Sequence, residues 1–105
     1  MTTTVTVTSV SPLANQEYLV EGTASVDITS GAGNFTVSQL ATIDNVLMCR
    51  NNSDSATTPH YTDYKIDSST KNQVDLTDFT ITVSSSTWAL TSGSSLTVNF
   101  AVIGH

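Results

Sequence analysis

The sequence predicts an all-β fold, a single-domain antiparallel β-sandwich of jelly-roll-like type with seven or eight short strands. Three observations carry this. A Thr/Ser–apolar alternation opens the chain at Thr2-Thr3-Thr4-Val5-Thr6-Val7-Thr8 and still runs through Leu96-Thr97-Val98-Asn99-Phe100-Ala101-Val102; period two is the pattern of a pleated strand with one face buried. Turn residues separate the alternating runs roughly every 8–15 residues, the spacing of sandwiches, jelly rolls and barrels. A chain of 105 residues makes one domain, able to hide roughly two-thirds of its unfolded surface in a single core.

The first strand is predicted over residues 2–10. It stops at Ser11-Pro12, because proline brings no N–H to a ladder and biases its predecessor toward extended or turn geometry. Leu13-Ala14-Asn15-Gln16 reads as a loop or a single helical turn. A long strand over 17–29 places Tyr18, Val20, Ala24, Val26 and Ile28 on one face and Glu21, Thr23, Ser25, Asp27 and Thr29 on the other. Gly22 marks a bulge or bend within it. Ser30-Gly31-Ala32-Gly33-Asn34 has the composition of a hairpin turn, since glycine supplies positive φ.

The return strand begins with Phe35 and Val37. The apolar series Leu40, Ile43, Val46, Met48 then shifts from a spacing of two to three, which predicts a turn near 41–45 and a separate strand over 45–50. Residues 51–59 form the one long polar loop. The run 61–67 reads as a strand with Tyr64 and Ile66 inward, closed by the turn 68–72. The next strand spans 76–83, with Phe79, Ile81 and Val83 facing the core. Trp88 and Leu90 make a brief strand or corner, and Ser92-Gly93-Ser94 turns into the last strand, 95–103. No repeat and no linker divides the chain.

Hydroxyls rather than ions cover this fold. Ser and Thr number 34, while charged residues make up 11% against about a quarter in average proteins. Their interleaving with 11 Val, 5 Ile and 3 Phe in strand register argues against a disordered Ser/Thr-rich segment. The net charge is −6 and the only basic residues are Arg50, Lys65 and Lys71, which argues against nucleic acid as a partner and disfavours an anionic membrane. No apolar run approaches the ~18 residues of a membrane span. The single Cys49 cannot close an internal disulfide, and its flanks Val46-Leu47-Met48 and Arg50 make it a small hydrophobe in a strand. The opening residues lack the basic stretch and continuous apolar run of a signal peptide, so synthesis in a cytosol is expected.

No catalytic, cofactor-binding or metal-ligating residue is expected, and the chain reads as a non-enzyme. Asp63, Asp67, Asp75 and Asp78 lie close in sequence without the spacing of a calcium loop, so they are expected at solvated strand ends and turns. His60 and His105 have no partner at a zinc-ligand spacing. A Ser–His–Asp arrangement lacks a nucleophile elbow, and Ser30-Gly31-Ala32-Gly33 lacks the Lys and helix of a phosphate loop. The sequons Asn34-Phe35-Thr36 and Asn51-Asn52-Ser53 are chance without a secretory route. Trp88 and Tyr61 are expected as core corners; facing solvent together, they would instead mark a platform for sugar rings.

The sharpest expectation concerns edges. Residues 2–8 are β-branched and uncharged, without the Lys or Pro that natural edge strands use to repel unwanted pairing. The terminal strands are therefore expected at the outside of the fold, completed by neighbouring molecules. Thr3, Val5 and Val7 on the first strand, with His60 and Tyr61 at the end of the 51–62 segment, are the candidate protein contacts.

The closing stretch Asp78-Phe79-Thr80-Ile81-Thr82-Val83 … Ser92-Gly93-Ser94-Ser95-Leu96-Thr97-Val98-Asn99-Phe100-Ala101-Val102-Ile103-Gly104-His105 resembles the C-terminal hairpin of small tailed-phage virion proteins. Thr42-Ile43-Asp44-Asn45-Val46 is similar to a step in the same group. The resemblance implies a capsid decoration (cement) protein, located in a virion assembled in the host cytoplasm. Its implied partners are the major capsid protein and copies of itself in a homo-oligomer, with no cofactor. The alternative it implies is a carbohydrate- or receptor-binding module of a phage head fibre or tail. No long flexible arm of the kind many cement proteins extend is legible, so clamping by an arm is not expected.

Overall fold

Alternating β-branched residues become two stacked antiparallel sheets in the computed structural model, which describes residues 3–52, 59–81, 87–91 and 94–105. The strands are β1 (Thr4–Pro12), β2 (Tyr18–Ile28), β3 (Ala32–Thr36), β4 (Ile43–Asn51), β5 (His60–Ile66), β6 (Gln73–Thr80), β7 (Ala89–Leu90) and β8 (Ser94–Gly104). One 3-10 turn, Ala14–Gln16, joins β1 to β2. The first sheet has the order β1-β2-β8-β4 and the second β3-β6-β5. β7 pairs with Phe79 and Thr80, beyond the stretch of β6 that β3 occupies. The architecture is the predicted all-β one and is consistent with a β-sandwich.

The core lies between the sheets. β2 contributes Val20, Ala24, Val26 and Ile28, and β8 contributes Leu96, Val98, Phe100 and Val102, all buried. Facing them are Phe35, Val74 and Leu76 of the second sheet. The rings of Phe35 and Phe100 meet across the interface at 5.0 Å between centroids, tilted by 41°, within the range favoured for aromatic pairs. Polar partners alternate with these residues along each strand; Thr6 pairs with Thr23, and Ser25 pairs with Thr97, giving the first sheet a hydroxyl-rich outer face.

Several sequence expectations are corrected by the pairing. The 17–29 run forms β2 as expected, but the irregularity lies opposite Gly22 in β1, whose register shifts between Val7 and Ser9. A Cβ at Gly22 would overlap the Thr6 carbonyl oxygen and crowd Phe100 Cζ at 3.1 Å, so glycine there lets β1 approach and leaves room for the ring. The 30–34 turn forms as a tight reversal: Thr29 and Ala32 exchange backbone hydrogen bonds of 2.9 and 3.0 Å, with Ser30 at φ 52 and Gly31 at φ 80. The strands it joins then separate, β2 into the first sheet and β3 into the second. The turn is therefore a corner between sheets.

The last strand was expected at an edge. β8 instead sits between β2 and β4, hydrogen-bonded on both sides; its near-continuous close, Phe100-Ala101-Val102-Ile103, suits a doubly paired central position. β1 is an edge, as expected. Tyr18, assigned to the core face, is exposed at the end of β2. Tyr64 shares the ladder face of Leu76 but lies on the outermost strand of its sheet and is exposed too. Ser11 and Pro12 extend β1 past its predicted end. Residues 1–2 and 53–58, with Val83 and the turn at 92–93, lie outside the described residues.

Candidate functional site

The outer face of the second sheet is where the structure departs furthest from the sequence reading. Val74 and Leu76 point into the core, opposite Phe35 and Ile66 and beside Tyr64. Period two then carries Asp78 inward and Phe79 outward. The expectation that Phe79 faces the core and Asp78 faces water is thus reversed. Two apolar parities compete in this stretch, Val74 and Leu76 against Phe79, Ile81 and Val83. Pairing with both β3 and β5 settles it for the first.

The inward carboxylate is fully buried, at 0% exposure, and three donors satisfy it. Thr62 Oγ1 donates to Asp78 Oδ1 at 2.7 Å, and Thr91 Oγ1 donates to Oδ2 at 2.7 Å. His60 Nδ1 lies 2.7 Å from the same Oδ2 with only 12% of its side chain exposed. Asn51 Nδ2 donates in turn to Thr62 Oγ1 at 3.0 Å. Backbone bonds complete the knot: Asp78 N–H donates to Gly31 O, and Thr91 N–H to Asp78 O. A buried charge is tolerated only when paired in this way. A His–carboxylate pair is also the orienting half of a catalytic dyad. Here the carboxylate is also held by two threonines, and the cluster pins β4, β5, β6 and the end of β7 together.

With Asp78 inside, Phe79 and its partners on β5 and β7 are turned out in register. Tyr61 and Leu90 flank Phe79 on adjacent strands, and the Tyr61 and Phe79 rings stand 6.1 Å apart. Tyr61 is 58% exposed, Leu90 51%, and Trp88, just before β7, 47%. The expectation that Trp88 and Tyr61 are core corners is corrected: both face solvent. Beside this strip a shallow cleft of about 190 Å³ is lined by Asp63, Tyr64, Lys65, Asp75 and Thr77. Lys65 lies directly opposite Asp75, and Gln73 Nε2 donates to Asp75 Oδ1 at 2.7 Å. The face therefore joins an apolar, partly aromatic strip to acceptors and donors of both signs.

Family models, curated proteins and solved structures were compared with the chain, and none matches.

The remaining predicted contacts are divided by the fold. Thr3 is exposed, and its Oγ1 accepts the Asp27 N–H at 3.1 Å. Val5 and Val7 are half-buried, packed from β1 against the core. Their neighbours Thr4 and Thr6 are the exposed ones. His60 is turned into the Asp78 cluster, whereas Tyr61, one residue on, is open. The two groups of contacts sit on different sheets: β1 edges the first, and Tyr61 lies on the second. Cys49 is buried as its flanks imply, and burial pushes its thiol up to about 11; at pH 8 roughly one molecule in a thousand carries the reactive thiolate.

Proposed function

We propose that this chain is a non-enzymatic structural protein of a virion, a decoration protein that binds the major capsid protein and copies of itself and stabilises the capsid lattice. The observation that carries the reading is β1. It is an edge strand of nine residues, Thr4–Pro12, and none of them is charged. Lys is absent, and Pro occurs only at its last position. Such an edge is a template for strand addition by another chain. The other edge of the same sheet, β4, is broken by two register shifts and carries Asp44 and Arg50. Apolar side chains exposed next to β1 enlarge the contact: Val10, Leu13 and Tyr18 all reach solvent there, and Pro12 pairs with Tyr18. A bound protein stabilises an assembly by the difference between its affinities for the assembled and free states.

Thr4→Lys with Thr6→Lys tests this. Both sites are exposed, so the urea unfolding free energy is expected to stay within about 0.5 kcal/mol of wild type. Light scattering should show an oligomer for wild type and a monomer for the double variant. In cryo-EM of particles assembled with the chain, wild type should appear on the shell and the variant should not. A monomeric wild type missing from the particle, or a variant that still assembles, would end the proposal.

A second reading, a carbohydrate- or receptor-binding module of a head fibre or tail, is favoured by one specific observation: Tyr61 and Trp88 both face solvent. An exposed ring can stack on the apolar face of a sugar while Asp63, Lys65, Asp75 and Thr77 take its hydroxyls. On a glycan array, Tyr61→Ala is expected to weaken any retained glycan about tenfold, corresponding to the upper range for one aromatic contact. Retention unchanged by both Tyr61→Ala and Trp88→Ala would discard this reading.

A further inference from the structure

Three side chains from distant parts of the sequence meet at one end of the first sheet. Gly104 of β8 pairs with Tyr18 on one side and Ile43 on the other. Glu17 directly precedes Tyr18, Asp44 directly follows Ile43, and His105 directly follows Gly104. Asp44 is the extra residue where the β4 register slips between Ile43 and Asn45, and re-aiming a side chain is what a bulge does. Gly104 allows the close approach: a Cβ there would overlap the Thr42 carbonyl oxygen and lie 3.0 Å from Ile43 Cα. The His105 backbone is held on both sides, its N–H donating to Thr42 O at 3.0 Å and its carbonyl accepting from Ala41 and Thr42 at 2.9 and 3.0 Å.

One ligand atom from each of Glu17, Asp44 and His105 lies within 4.8 Å of the others. His105 Nδ1 is 3.1 Å from Asp44 Oδ2. Glu17 Oε2 is closed off from solvent, and among the described residues no donor reaches it. Two carboxyl groups facing each other need a proton or a cation between them.

We propose that Glu17, Asp44 and His105 form a divalent-cation site, and that its ion is of the Zn²⁺ class. Two carboxylates and one imidazole match the mixed oxygen–nitrogen donor sets of Zn²⁺, which binds such atoms at about 2.0–2.2 Å. Ligand atoms around an ion at that distance stand about 3–4 Å apart, so small side-chain adjustments close the triad. Calcium takes six to eight oxygens and is the poorer fit. His105 and Asp44 keep 57% and 40% of their side chains exposed, which leaves coordination positions for water. The ion would staple the start of β2, the bulge of β4 and the end of β8. The site abuts the Tyr18 end of the contact surface assigned to β1 but does not depend on that assignment.

Isothermal titration of the full chain, stripped with chelator, against ZnCl₂ tests the site. The expected result is one saturable equivalent, with CaCl₂ binding at least tenfold more weakly and the thermal midpoint rising on Zn²⁺ addition. Glu17→Gln and His105→Ala should each weaken Zn²⁺ at least tenfold, with circular dichroism unchanged. Both positions lie at the rim of the first sheet, outside the buried core, so folding is retained. The inference is overturned by either of two results: no saturable equivalent, or triad variants that bind like wild type.

Discussion

Asp78→Ala is expected to destabilise the protein by about 3–5 kcal/mol, the cost of breaking a buried charged cluster by removing one partner. The carboxylate is wholly buried and is the shared acceptor for Thr62, Thr91 and His60. Alanine leaves three polar side chains facing a space with no acceptor, and each unsatisfied group adds to the penalty. A domain of this size has a total stability of roughly 5–15 kcal/mol, so the loss is a large fraction of the whole. Asp78→Asn keeps the shape and one acceptor oxygen, and the threonine hydroxyls can rotate to accept its amide. The expected cost is then about 1–2 kcal/mol. Urea denaturation of both variants measures this. An Asp78→Ala loss below about 1 kcal/mol would mean that the cluster is not the pin described above.

Phe100→Ala is the second large effect, expected at about 3–5 kcal/mol for a buried aromatic in a core that relaxes only partly. Phe100 is 1% exposed and sits on β8, the central strand between β2 and β4. Its ring spans the sandwich to Phe35 and fills the space left by the missing side chain of Gly22. Removing it opens a cavity between the sheets, beneath the β1–β2 contact. Phe35→Ala alone carries a similar cost. The double variant is expected to lose less than the sum, by about 0.5–1.5 kcal/mol, the coupling of an aromatic pair. Strict additivity in a double-mutant cycle would show that the two rings do not stabilise each other.

These two positions also show how far local sequence reaches. Phe100 is legible: an aromatic in unbroken alternation with Val98 and Val102 can only be a core residue of a strand. Asp78 is not legible, because the apolar parity on its N-terminal side contradicts the parity on its C-terminal side. Only pairing of β6 with both β3 and β5 selects the phase that buries the carboxylate. The same choice turns Tyr61 and Leu90 outward beside Phe79, so the exposed strip was hidden for the same reason. The Glu17, Asp44 and His105 cluster left no trace in spacing. It arises where three strands meet at Gly104, and its middle member is aimed by a bulge.

Alternation and turn chemistry are local properties, written in side-chain size, branching and backbone freedom. From these the chain dictates its all-β class, most strand positions, the reversal at Ser30-Gly31, the inert Cys49 and an uncharged first strand. Which strand lies beside which is a matter of long-range hydrogen bonding and apolar burial. Folding in three dimensions therefore placed β8 at the centre and left β1 at the rim. It also set the phase of β6 and gathered two carboxylates and an imidazole at one sheet end, because ladder partners are chosen by the whole core and not by neighbours in sequence.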